Sequence, residues 1–279
     1  MTDQAENLRT LVTGSVATDD LAWACVNTRV IAVTSGKGGV GKTMLTVNLA
    51  LLIAEMGKRV LIVDADLGLA NVDVMMGLPS GRHVGHLMLA DFSADDVAGK
   101  GPHGIRVVSG GSGLQELADI SGEDRQLLIK KLSAYYRQFD YVLLDTSPGI
   151  GSDVVDFLSH ADEVLVVTTP EPTSLRDTYA SLKTLVAETP AAEPKVIVNM
   201  AVSKEQAKQA MAVVNEVSTR FLGRAFKNWH HIESDPLVVR TIQDRRPLVV
   251  SFPRSPAAAC MRRLAKCVSE EVHALVQAV

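Results

Sequence analysis

Nothing in the 279 residues forms an apolar run long enough to cross a bilayer, a task that takes about 20 residues. The N-terminus lacks the basic-then-apolar order of a signal peptide and carries Asp3 and Glu6 instead, so secretion is not expected. Cysteine is scarce. Cys25, Cys260 and Cys267 are too few and too scattered for a disulfide framework or a metal knot. Cys260 and Cys267 sit seven apart on an expected helix, where buried thiols are the plain reading. These absences point to the reducing cytoplasm. Internal repeats and low-complexity tracts are missing too. What remains is 47% hydrophobic and 22% charged, suited to one large α/β domain or two small ones.

The net charge of −4 is unevenly placed. Residues 1–200 hold 16 Lys and Arg against 25 Asp and Glu, whereas 201–279 hold 12 against 7. A basic final third suits nucleic acid, anionic lipid or an acidic partner, or is simply a solvated surface, which is the reading favoured here.

Short β-branched runs alternate with amphipathic stretches, the signature of βαβ units and a parallel sheet. Strands are expected at 30–35, 59–64, 105–108, 141–145, 163–168, 195–199 and 225–229. Helices are expected near 43–56, 122–137, 152–160, 173–188, 203–221, 235–244 and 256–277. Strands such as "YVLLD" and "VLVVT" are apolar on both faces, as strands covered by helices on two sides should be. The expected fold is therefore α/β, with a mostly parallel sheet of seven or eight strands between helical layers. Residues 1–29 read as a short helix and a linker, "TGSVATDD", ahead of a domain spanning 30–279. Within that helix Asp3 can cap and Glu6 can complete the box, while Ala5, Leu8 and Val12 share an apolar face.

Between the first strand and the first helix stands Gly36-Lys37-Gly38-Gly39-Val40-Gly41-Lys42-Thr43. It fits the P-loop pattern G-x-x-x-x-G-K-[ST], in which backbone N–H groups and a helix N-terminus face phosphate oxygens. Lys42 is expected to reach the β- and γ-phosphates of ATP, and the Thr43 hydroxyl to ligate Mg²⁺. "YVLLDTSPGIG" supplies Asp145 at the carboxyl end of a strand, where open α/β sheets bind ligands. Asp145 completes the magnesium shell, and Gly149 can offer a backbone N–H to a γ-phosphate. In "VDADLGLANVD", Asp64 ends its strand and is a candidate metal ligand, and Asp66 lies two residues on, in reach of the phosphates; one of the two is suited to orienting the attacking water while Mg²⁺ neutralises charge.

With two lysines in one loop, the chain resembles the deviant Walker A ATPases, the MinD/ParA family, whose loop reads K-G-G-x-x-K-[ST]. The resemblance implies that Lys37 crosses a dimer interface to the partner's nucleotide, so that an ATP-dependent homodimer sandwiches two nucleotides. It also implies that Asp66 is the switch I aspartate of hydrolysis, that Asp145 and Gly149 are switch II, and that Asn199 reads adenine. "DADLGLANVDVMMGL", "PEPTSLRDTYASLK", "RPLVVSFPRSPAA" and above all "DQAENLR" are similar to the FlhG (FleN) group, which governs flagellar number and placement. That likeness implies that the N-terminal element, with Asp3, Gln4, Ala5, Leu8 and Arg9, stimulates an FlhF-type GTPase. A flagellar switch-complex protein and a flagellar transcription activator are further implied partners, and location at the cell pole or inner membrane face would come through them.

Two departures stand out. Where relatives read G-x-I-P-x-D near adenine, this chain has "HHIESD", with Glu233 in the place of proline. The final stretch has apolar residues at 257, 261, 264, 268, 272, 275 and 279, one face of a single helix. It reads as a last core helix and not as a membrane anchor, so direct membrane binding is expected to be weak or absent. A ParA-type DNA-partitioning protein and a dethiobiotin synthetase-type ligase remain as alternatives. An iron-protein-type reductase is excluded by the lack of cysteine in 140–160.

Overall fold

The computed structural model describes residues 28–276 except 68, 70, 80, 90, 112–119 and 190–193. The expected N-terminal helix, with Asp3, Gln4, Ala5, Leu8 and Arg9, lies outside the described residues.

Eight strands form one sheet: β1 (Arg29–Thr34), β2 (Val60–Ala65), β3 (Gly99–Lys100), β4 (Arg106–Val108), β5 (Tyr141–Thr146), β6 (Glu163–Thr168), β7 (Pro194–Ala201) and β8 (Trp229–Glu233). Their order is β3-β4-β2-β5-β1-β6-β7-β8. All neighbours run parallel except the short β3, which is antiparallel to β4. Seven longer helices follow: α1 (Lys42–Glu55), α2 (Gly122–Tyr136), α3 (Ser152–Leu158), α4 (Pro172–Glu188), α5 (Lys204–Leu222), α6 (Pro236–Gln243) and α7 (Pro256–Val276).

The sheet divides the core into two apolar layers. One face packs on α1 and α7, through Leu45, Leu49, Leu52, Met261 and Leu264. The other packs on α2 to α5, through Leu128, Phe157, Leu182 and Met211. Burying a leucine of this kind stabilises by roughly 1.5–3 kcal/mol. Helix α1 is apolar nearly all round, "MLTVNLALLI", and Met44 to Ile53 are all buried. Such a helix can exist only inside a domain. Its one amide, Asn48, is satisfied: Nδ2 donates to the Met44 carbonyl at 2.7 Å, and Oδ1 accepts the Val249 N–H at 2.9 Å. In α7, Ala257, Met261, Leu264 and Val268 are buried, so the helix is a core helix as far as Val268, as its spacing predicts; the side chains at positions 272, 275 and 279 of that spacing lie outside what is described.

Two strand assignments differ from expectation. The last strand begins at Trp229 and not at 225, because "WHHIE" is an edge strand with Ile232 alone fully buried. A strand wetted along one edge carries too weak an apolar signal to be located by pattern. The two-residue β3 is too short to have any periodicity.

Candidate nucleotide site

The site lies at the carboxyl ends of the central strands. β1 is flanked by β5 and β6, so the loop after β1 emerges where the chain winds away in both directions. In open α/β sheets a crevice forms at such a point. That loop, residues 36–43, runs straight into α1. Gly41 is the N-cap residue of α1, at φ 94° and ψ 27°. A Cβ there would be strained, and it would stand 2.4 Å from Asn199 Nδ2. Only glycine lets the loop turn into the helix at this place.

Parallel pairing sets Asp64 of β2 directly beside Asp145 of β5. Both are buried, and burial with mutual repulsion pushes the Asp64 carboxyl well above the usual carboxylate range. Burial also raises Asp145, to about 6, although Thr43, Lys42 and Thr46 each favour its charged form. The Thr46 hydroxyl donates to Asp145 Oδ1 at 3.0 Å. Lys42 is 8% exposed; burial lowers its proton affinity, while Asp145 and Asp66 raise it. One ammonium and two hydroxyls therefore converge on Asp145. Carboxylate and hydroxyl oxygens are the donor set of a hard divalent cation such as Mg²⁺. These residues fit Mg²⁺ with an anionic phosphate chain.

The two loops beyond β2 and β5 are laced together. Asp64 accepts backbone N–H groups from Asp66 at 3.2 Å, Asn71 at 2.9 Å and Val72 at 3.1 Å. Asp64 thus anchors the first loop, a role its position at a strand end does not reveal. Asp66 Oδ1 in turn accepts the Ser147 hydroxyl at 2.9 Å, joining the first loop to the second. Gly149, at φ 105°, donates its N–H to the Ser35 carbonyl at 2.7 Å. Asn199 is buried at the end of β7, and its Nδ2 donates to the Val40 carbonyl at 2.7 Å. Both groups are therefore spoken for by the β1 loop itself.

Lys37 stands apart from Lys42. Its ammonium, about two-fifths exposed, bonds Glu171 Oε2 at 3.0 Å and the Thr173 hydroxyl at 3.2 Å. Sequence reasoning missed Thr46, Ser147, Glu171 and Thr173. Thr46 had a usable signal, since position i+4 from Lys42 shares its helix face. The others sit 81 to 136 residues from their partners, where no local pattern reaches.

A family model described as "ParA: NUBPL iron-transfer P-loop NTPase" matches residues 27–269. The chain belongs to the ParA family of P-loop NTPases. As a member it is a MinD/ParA-type ATPase, with ATP and Mg²⁺ as its cofactor set. The antiactivator FleN of Pseudomonas aeruginosa is 40% identical to this ParA-family chain over 240 residues, 86% of each protein. The flagellum site-determining protein YlxH of Helicobacter pylori is 36% identical over 157 residues, 56% of this chain and 53% of its own length. Among solved structures, the septum site-determining protein MinD of Pyrococcus horikoshii, complexed with Mg-ADP, superposes with a TM-score of 0.74. It is 25% identical, over 88% of this chain and 97% of that one. No helix among the described residues is long and apolar enough to cross a membrane.

Proposed function

We propose that this ParA-family ATPase is an ATP-dependent dimerising switch that regulates flagellar number and placement in the cytoplasm. Its likeness to FleN and YlxH supports the flagellar setting. In this reading the loop Gly36, Lys37, Gly38, Gly39, Val40, Gly41, Lys42 and Thr43 cradles the phosphates. Thr43, Asp145 and Asp64 hold Mg²⁺, Asp66 orients the attacking water, Gly149 senses the γ-phosphate and Asn199 reads adenine. For the last two, nucleotide must compete with the Ser35 and Val40 carbonyls that now accept their N–H groups. That competition makes both loops responsive to what is bound.

The observation that carries the reading is the separation of the two lysines. Lys42 is buried against Asp145, whereas Lys37 faces outward on Glu171. A lysine held at the surface is placed to serve a second copy's nucleotide, like an arginine finger given in trans. ATP then becomes the condition for association, and the dimer is the form that partners read. An FlhF-type GTPase, stimulated by the N-terminal element, is the first such partner; a flagellar switch protein or transcription activator is the next.

Light scattering with Mg·ATP tests the division of labour. Lys42→Ala should lose ATP binding, while Lys37→Ala should bind ATP, stay monomeric and fail to hydrolyse it. An ATP-dependent dimer of Lys37→Ala would overturn the proposal.

A further inference from the structure

Glu233, which the resemblance sets near adenine, is given no role in the nucleotide chemistry above. It ends β8, the outermost strand on its side of the sheet among the described residues, which pairs with β7. Side chains alternate along a strand, so His231 and Glu233, two residues apart, share one face. Cys260 comes to them from the second turn of α7, across 27 residues of chain. One ligand atom of each of the three, the His231 ring nitrogen, a Glu233 oxygen and the Cys260 sulfur, lies within 4.8 Å of the others. We infer that His231, Glu233 and Cys260 form a binding site for a borderline-soft divalent cation of the Zn²⁺ class.

The donor set decides the class of ion. Nitrogen, sulfur and carboxylate oxygen are the three zinc donors, whereas Mg²⁺ and Ca²⁺ take oxygen alone. The protein would therefore keep two metals apart by chemistry: a hard cation at the all-oxygen Asp145 site and a softer one at the sheet edge. Tetrahedral ligands at zinc distances of 2.0–2.3 Å stand roughly 3.3–3.8 Å from each other. The three atoms must close by about 1 Å, which side-chain rotation at a half-buried edge allows. His231 and Glu233 are partly exposed and Cys260 is 3% exposed, so the open fourth position faces solvent.

One neighbour already holds the sulfur. Arg263 Nη2 donates to Cys260 Sγ at 2.9 Å, the second-shell kind of contact that orients a thiolate ligand. Such an ion would tie β8 to α7. A contact just past β8 already reaches α7: the Ala257 N–H donates to Oδ2 of Asp235, the residue that caps α6, at 3.3 Å. Between the two ties lies Ser234, whose N–H bonds the Ala201 carbonyl at 2.8 Å, two residues beyond Asn199.

Cobalt(II) is the probe, titrated into chelator-stripped full-length protein with Mg²⁺ in large excess to occupy the oxygen site. The expected result is one equivalent of Co²⁺ giving a sulfur-to-metal charge-transfer band. Cys260→Ser should abolish that band, while Cys25→Ser and Cys267→Ser keep it. His231→Gln and Glu233→Gln should each weaken competing Zn²⁺ by about tenfold or more. These two residues are partly exposed, so their variants should fold even if the Cys260 substitution does not. Absence of the band in the wild type, its survival in Cys260→Ser, or wild-type Zn²⁺ affinity in both glutamine variants would overturn the site.

Discussion

The ammonium group of Lys37 lies 3.0 Å from Glu171 Oε2, an ion pair at the surface that joins the loop after β1 to the start of α4. For Lys37 to serve a second copy, this pair has to open. Exposed pairs of this kind are worth about 0.2–1 kcal/mol. Glu171→Gln should therefore tighten ATP-dependent dimerisation by up to about fivefold for each of the two pairs that open in the dimer, the equilibrium equivalent of that energy. Sedimentation equilibrium with Mg·ATP measures it. A weaker dimer would mean that Glu171 holds Lys37 in the associated state and not against it.

Asp66 joins the two loops through Ser147. If it orients the attacking water, Asp66→Ala should bind Mg·ATP, accumulate as a dimer and hydrolyse at least about a hundredfold more slowly. Ser147→Ala frees the same carboxylate without removing it and should have the smaller effect. Phosphate release under single-turnover conditions separates the two variants. Wild-type turnover by Asp66→Ala would move the role to Asp64 or another acid.

Asp145 has its carboxyl raised to about 6 by burial. In the folded protein it holds a proton that the unfolded chain has released, so between about pH 4 and pH 6 its contribution to stability falls as pH rises. Above 6 the buried charge is a standing cost. Without nucleotide or Mg²⁺, Asp145→Asn should therefore raise the melting temperature at pH 7.5, and by only about half as much at pH 5, where half of the proton release is complete. With Mg·ATP the order should reverse, because the wild type gains a ligand that the variant has lost. Thermal melts at the two pH values decide this; an equal shift at both would exclude the buried carboxylate as the cause.

The N-terminal element is tested without the ATPase domain. An isolated helix of this length is marginal, since persistence in water needs roughly 12–15 residues, so it is expected to fold on its partner. A peptide of residues 1–21 should raise GTP turnover by an FlhF-type GTPase, with Gln4→Ala and Leu8→Ala peptides less active. Deleting the segment should leave ATP hydrolysis by the remainder intact. Equal GTP turnover with and without the wild-type peptide would reduce the segment to a tail.

The parts of this protein that read directly from the chain are those governed by neighbours in sequence. The P-loop is a run of eight residues, 36–43, whose glycines and helix start are local requirements. Asp64 and Asp145 end strands that announce themselves as apolar on both faces. Helix α7 shows its buried face in its spacing. Strand β8 escapes this logic: at the end of the sheet order and with two histidines in five residues, it lacks the continuous apolar run that burial imposes on β5 or β6. The contacts that distinguish the two lysines depend on the order β5-β1-β6-β7 and on nothing local. Only that order brings Glu171 after β6 to Lys37, Asn199 at the end of β7 to Val40, and Asp64 alongside Asp145. Likewise His231 and Cys260 meet only because α7 packs against the sheet edge. Hydrogen bonds and ion pairs act over a few ångströms in space, so partners separated by tens to more than a hundred residues leave no periodicity in the chain to find.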